Sequence, residues 1–329
     1  MTMDAVFYFV LNMSIGGSVV ILLVLALRAV RLFPRRYIYV LWALPFLRLV
    51  LPLAPSGPFS LWRLGERFIA RVIPAGEIGN LPDIPLGAMN FVGAISTIEP
   101  GALPGIPGGV TRFAGAAEAA PISYRTEALA AVFRTAGALW LVVACAALLT
   151  AAALYFMTSS ALKKSEHIGE KLYSNPLVSS PTLFGIFRPK IIFPTREEAE
   201  SASPLVIAHE DVHIKRLDNL RRPLALAVAC VHWFNPLAWV MLRAFYLDME
   251  LSCDEAVTSA LDRADRGKYA AALLSFAGGG HFILPAAFGK SKVRVRVERV
   301  LKYKGLTAAS SAALLIFLAA VAVALMTNP

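Results

Sequence analysis

Long apolar runs separated by short basic links set out this chain. Residues 5–27 form an apolar stretch long enough to cross a bilayer, and it ends at Arg28, Arg31, Arg35 and Arg36. Residues 38–54 predict a return span, short and carrying Pro45, with Arg48 near its outer end where it can snorkel to the headgroups. The stretch 55–126 is rich in Gly and Pro, as in Pro104-Gly105-Ile106-Pro107-Gly108-Gly109, and predicts an irregular external loop with one helical piece near 60–72. A third span is expected within 127–157, its apolar run at 135–157 closed by Lys163 and Lys164. A fourth is expected within 306–329, its run at 307–326 preceded by Arg299, Lys302 and Lys304. Between them, Thr182–Phe187 and Lys190–Phe193 predict two short strands, and Ser203-Pro204 marks a helix start with Pro at its first position.

Composition agrees with a membrane protein. The 329 residues are 57% hydrophobic and 16% charged, where soluble domains carry roughly 25% charged residues. The net charge of +10 could suggest nucleic acid, but the cations are partitioned by topology. The first basic link and residues 158–305 hold 25 of the 32 Lys and Arg residues, and the 55–126 loop balances five Arg against five acids. That asymmetry follows the positive-inside rule and implies contact with anionic lipid rather than direct nucleic-acid binding. It puts 158–305 in the cytosol and both termini outside, with 1–54 as the first two spans. Cys145, Cys230 and Cys253 make no disulfide framework. The N-terminus lacks the basic flank of a cleaved signal peptide, so the first span is expected to be kept as an anchor.

The helix after Ser203 reads His209-Glu210-Asp211-Val212-His213. Two His at i and i+4 share one helical face, so both imidazoles can reach one zinc ion. Glu210 is then placed as general base for a water whose pKa the metal brings toward about 7. A catalytic zinc needs a third protein ligand. His232 lies roughly 28 Å beyond His213 if the helix continues, and is rejected. Glu250 is the better candidate, with Asp254 one turn on to orient a ligating imidazole. Because residues 223–242 are apolar, Glu250 can return to His213 only if the chain enters and leaves on the same side. A re-entrant hairpin is therefore expected near 223–247, turning at His232-Trp233-Phe234-Asn235-Pro236, with Pro223 as a candidate kink. A peptidase also needs an extended substrate, and one of the two strands Thr182–Phe187 and Lys190–Phe193 (Lys190, Ile191, Ile192, Phe193) is the candidate edge for it, expected to lie beside the His209–His213 helix.

These stretches resemble the BlaR/MecR-type membrane metallopeptidases, the antirepressor peptidases of bacterial antibiotic-resistance signalling. The resemblance is carried by Ser180–Pro194, by His209–His213 with Asp218, and by Trp233–Pro236 through Glu250-Leu-Ser-Cys-Asp-Glu-Ala-Val257. It implies a gluzincin-like site with one Zn2+ per chain held by His209, His213 and Glu250, and Asp218 and Asp254 supporting them. It also implies a bacterial cell-membrane location and cytosolic proteolysis of a repressor-like protein or of the chain itself. Well-known members carry a penicillin-binding sensor after the last span, whereas this sequence ends at Pro329. Either the chain is truncated, or its signal enters through the 55–126 loop, the bilayer or a partner, a second copy in a homodimer included. A broader processing peptidase and a zinc-binding transducer without catalysis are the alternatives, and Glu210 argues against the latter. Self-cleavage within 275–300 is a further expectation. The fold expected is mainly α and multi-pass: four transmembrane helices plus a zincin-like α+β peptidase domain with a short hairpin or small sheet.

Overall fold

The computed structural model describes residues 3–30, 33–51, 127–169, 171–275, 289–303, 305 and 307–326. The 55–126 loop, its expected helix at 60–72 and residues 276–288 of the expected cleavage segment lie outside these. The described residues are mainly helical with one small mixed sheet.

Helix α1 (Met3–Ala29) and helix α4 (Glu127–Leu162) pack side by side through Phe7, Tyr8, Phe133 and Trp140. Among the described residues these two are long and apolar enough to cross a membrane, over Val6–Ala29 and Ala131–Leu162. Only 11% of the apolar window of α4 is buried by protein, so most of that helix needs apolar surroundings. The second expected span differs from its prediction. It forms two short helices, α2 (Arg35–Leu41) and α3 (Ala43–Val50), separated at Trp42. Pro45 explains the break, since it offers no N–H to Leu41 and its ring crowds that carbonyl. Arg48 is buried at 4% exposure instead of reaching outward. The last expected span appears as α11 (Ala308–Met326), an apolar helix of 19 residues.

The sheet comprises β1 (Glu166–Gly169), β2 (Leu172–Ser174), β3 (Thr182–Phe184) and β4 (Lys190–Phe193), in the order β1-β2-β4-β3. Strand β4 runs parallel to β2 and antiparallel to β3, with Ile191 opposite both Leu172 and Leu183. Lys190–Phe193 is therefore an interior strand paired on both sides, and the expectation that it offers a free edge is corrected. Strand β3 ends earlier than Phe187 because Gly185 turns at φ +100°, where a Cβ would lie 2.7 Å from the Arg188 carbonyl.

After the short helix α5 (Arg196–Glu200), helix α6 (Pro204–Lys215) starts as expected, with the Ser203 hydroxyl accepting the Leu205 N–H at 3.3 Å. Ile207 and Ile214 pack under the sheet with Leu183, Ile191 and Phe193, which turns the His209–His213 face the other way. The helix does not run on to His232. It breaks at Arg216, and Leu217 takes a left-handed conformation (φ 58°) before α7 (Asp218–Val231). The chain breaks here, and Pro223 lies inside α7 without ending it.

Helices α7 and α8 (Pro236–Thr258) form a helical hairpin, turning at residues 232–235. Its tip lies against the middle of α1, where several polar groups are matched while the buried His232 Nδ1 and Trp233 Nε1 find no partner among the described residues. The Asn235 side chain donates to the Ser14 and Ser18 hydroxyls, each at 2.8 Å, and its Oδ1 caps Leu237 N–H. Trp140 Nε1 donates to the Val231 carbonyl and His232 Nε2 to the Leu49 carbonyl. Backbone polar groups at an apolar level require such partners. Lower on α8, Asp248 pairs with Arg28 and Arg35 and accepts from Trp42 Nε1, while Glu255 accepts the N–H groups of Arg35 and Arg36 at the start of α2. Helices α9 (Arg263–Ser275) and α10 (Gly289–Leu301) then close over α8 through Val257, Tyr269, Ala270 and Val300.

Candidate metal centre

Helix α6 brings His209 and His213 to its inner face, 5% and 2% exposed, with ring centroids 4.9 Å apart. Helix α8 approaches antiparallel to the hairpin's other arm and supplies Glu250 between them. Its Oε2 lies 3.6 Å from His209 Nε2 and its Oε1 3.7 Å from His213 Nε2. One ligand atom from each of the three lies within 4.8 Å of the others. Ligands around a tetrahedral zinc sit roughly 3.3 Å apart, given bonds of about 2.0–2.1 Å, so this triad is the right size for such an ion.

The second nitrogen of each ring is committed elsewhere, which leaves both Nε2 atoms facing Glu250. His213 Nδ1 donates to Asp218 Oδ2 at 2.8 Å, and Asp218 is held in turn by the Tyr39 hydroxyl at 2.6 Å. Burial would raise the Asp218 carboxyl, but the bonds from His213 and Tyr39 outweigh it and hold it below the usual range. His209 Nδ1 donates to the Tyr269 hydroxyl at 2.9 Å, and that hydroxyl donates to Asp254 Oδ1 at 2.7 Å. Asp254 thus reaches His209 mainly through Tyr269, its own Oδ1 being 3.3 Å from the ring nitrogen. Burial favours a neutral His209, yet the hydrogen bonds of Asp254 and Glu250 raise it to about 9.

Two arginines flank the triad. Arg222 donates to Glu250 Oε1 at 2.6 Å, and Arg296 lies 3.4 Å from Glu250 Oε2. Desolvation alone would raise Glu250, but the two His and the two Arg hold it well below the ordinary carboxylate range. Glu210 is buried beside His209. A second group, His213 with Asp218 and Cys253, also clusters tightly. It uses the His213 nitrogen already bonded to Asp218, and burial pushes the Cys253 thiol strongly up, so it is the poorer metal site.

His209, Glu210, His213, Asp218, Glu250 and Asp254 therefore stand close together, and His232 stands apart, at the far end of α7 about 20 Å from Asp218. Tyr269, Tyr39, Arg222 and Arg296 were not foreseen. Arg296 was hidden in a basic stretch that reads as a topological signal, and a lone Tyr in an amphipathic helix carries no signal at all.

The sequence matches the family described as BlaR1 peptidase M56 over residues 8–299. The chain belongs to that family. The matched range runs from α1 into α10, the triad included. It is also similar to the regulatory protein BlaR1 of Bacillus licheniformis, 39% identical over 107 residues. That match covers 32% of this chain and 18% of the relative's length.

Proposed function

We propose that the chain is a membrane-embedded zinc metalloendopeptidase, with one Zn2+ held by His209, His213 and Glu250 and with Glu210 as its general base. The carrying observation is the convergence of the two Nε2 atoms on Glu250, while each Nδ1 is tied to a buried acceptor system and Arg296 Nη2 stands beside His209 Nε2, at 3.2 Å. The ion would supply Lewis-acid polarisation and an acidified water. Glu210 takes a proton from the water that adds to the scissile carbonyl carbon, and returns it to the amine nitrogen as the C–N bond breaks. Asp218 and the Tyr269–Asp254 pair keep the two rings in the tautomer that leaves Nε2 bare.

The substrate strand would add to β3, the edge strand that packs beside α6. Main-chain pairing along such an edge holds a peptide extended, so that its carbonyls are free to be attacked. The exposed apolar face of α4 and the buried polar tip of the α7–α8 hairpin support four spans with a re-entrant hairpin, both termini outside and the site at the cytosolic face of a bacterial membrane. The substrate is then a cytosolic repressor-like protein or the chain itself, in response to an external signal. Self-cleavage would fall within 276–288, because residues 289–301 are helical and their carbonyls are engaged in the helix. Mapping new protein N-termini in cells expressing wild type or Glu210→Gln tests the function. New termini confined to the wild type are expected, and identical maps would refute it.

A further inference from the structure

Helix α10 reads Gly-Lys-Ser-Lys-Val-Arg-Val-Arg-Val-Glu-Arg-Val-Leu, and its cations look like a solvated, topology-setting face. One of them is not solvated. The Arg296 side chain is only 17% exposed, and its guanidinium is fully engaged with the metal triad's supports. Nε donates to Asp254 Oδ2 at 2.8 Å and Nη2 to Asp254 Oδ1 at 2.9 Å, a two-point grip on a carboxylate that is 2% exposed. Nη1 lies 3.4 Å from Glu250 Oε2. Next along the helix face, Arg299 lies 4.0 Å from Glu255, while Val300 and Val297 pack with Tyr269. A single helix thus grips the third ligand, the carboxylate one turn beyond it, and the tyrosine that positions His209.

We propose that Arg296 is a positioning residue for the metal centre, and that α10 is the latch that holds His209 and Glu250 in ligand geometry. The reasoning rests on the metal site proposed above. Asp254 carries three hydrogen bonds, two from Arg296 and one from Tyr269. Without Arg296 the carboxylate loses two donors inside a site that excludes water. The nearest remaining donors are the Tyr269 hydroxyl and, 3.3 Å away, His209 Nδ1–H. Turning toward them pulls the ring from its alignment with Glu250, and Glu250 loses its Oε2 partner in the same change. The latch leads straight to the apolar helix α11, which begins at Ala308, seven residues after α10 ends at Leu301. Movement at the base of α11 therefore has a direct mechanical route to the metal ligands.

Simple Coulomb repulsion predicts the opposite sign. Arg296 Nη2 also donates to His209 Nε2 at 3.2 Å, so if it merely competed with and repelled a cation there, removing it would tighten metal binding. The experiment uses the full-length protein in detergent and follows Co2+ and Zn2+ binding by chelator competition, with the visible spectrum of the Co2+ form as a readout of coordination geometry. Arg296→Met is expected to weaken binding roughly 10–100-fold and to alter the Co2+ spectrum, as loss of a ligand's support does. Arg296→Lys should recover part of the affinity. The double variant Arg296→Met with Asp254→Asn should be no weaker than the worse single variant, because both act through one contact. Unchanged or tighter binding in Arg296→Met, or fully additive losses in the double variant, would overturn the proposal. A wild-type protein that binds neither metal would sink the metal-site reading itself, so the two failures are told apart.

Discussion

Replacing Tyr269 by Phe isolates one link in the support of His209. The side chain is 0% exposed, and its hydroxyl both accepts from His209 Nδ1 at 2.9 Å and donates to Asp254 Oδ1 at 2.7 Å. The variant keeps the ring and its packing against Val257, Ala270 and Val300, so cavity effects are small. A bond to a charged acceptor contributes about 1.5–3 kcal/mol, and a neutral one about 0.5–1.5 kcal/mol. Part is recovered, because Asp254 keeps both Arg296 bonds and His209 can turn to Asp254 directly across 3.3 Å. A net loss of about 1–2 kcal/mol remains, which is roughly a 5–30-fold weaker metal affinity at 1.4 kcal/mol per tenfold. Chelator competition for Zn2+ on the purified variant measures it, with thermal unfolding of the metal-free protein as the control for folding. Wild-type affinity in a folded Tyr269→Phe variant would refute the argument that Tyr269 links Asp254 to the ring.

Asp218→Asn should weaken metal binding by about 10–100-fold, since the amide supports the His213 tautomer less well than a carboxylate, and equal affinity by chelator competition would contradict this. Apparent Zn2+ affinity should fall as pH drops: His209 is raised to about 9 without metal, binding requires its neutral ring, and each pH unit below that value costs roughly tenfold for one displaced proton. A pH-independent titration between 6 and 8 would oppose it. Gly17→Ala should lower thermal stability by about 1–3 kcal/mol, because the added methyl meets the Leu49 side chain where α1 and α3 approach closely, and an unchanged unfolding midpoint would show that the contact yields.

Much of the site was readable because its signals are local. The i, i+4 histidines, the Ser203-Pro204 start and the Glu250, Asp254 pair each lie within one or two helical turns, where spacing determines direction. The hairpin tip was readable through a topological constraint, since a single crossing would have separated Glu250 from His213. What escaped depends on contacts across the chain. Nothing near Lys190–Phe193 tells that β2 will pair along its other side, because the parallel β2–β4 pairing joins residues about twenty positions apart. Trp42 gives no sign of a break until Pro45 is weighed against the carbonyl of Leu41. The basic residues misled most. Arg28 and Arg35 meet Asp248, and Arg296 meets Asp254, so charges that read as topological signals also tie the helices to the candidate metal site.

The central claim is a metal held by His209, His213 and Glu250, with Glu210 beside it and not among its ligands. Elemental analysis of purified wild type, Glu210→Gln and Glu250→Ala tests this directly. The account predicts about one zinc per chain in the first two and a near-complete loss in the third, with all three proteins folded. Zinc retained in full by Glu250→Ala, or lost from Glu210→Gln, would contradict it.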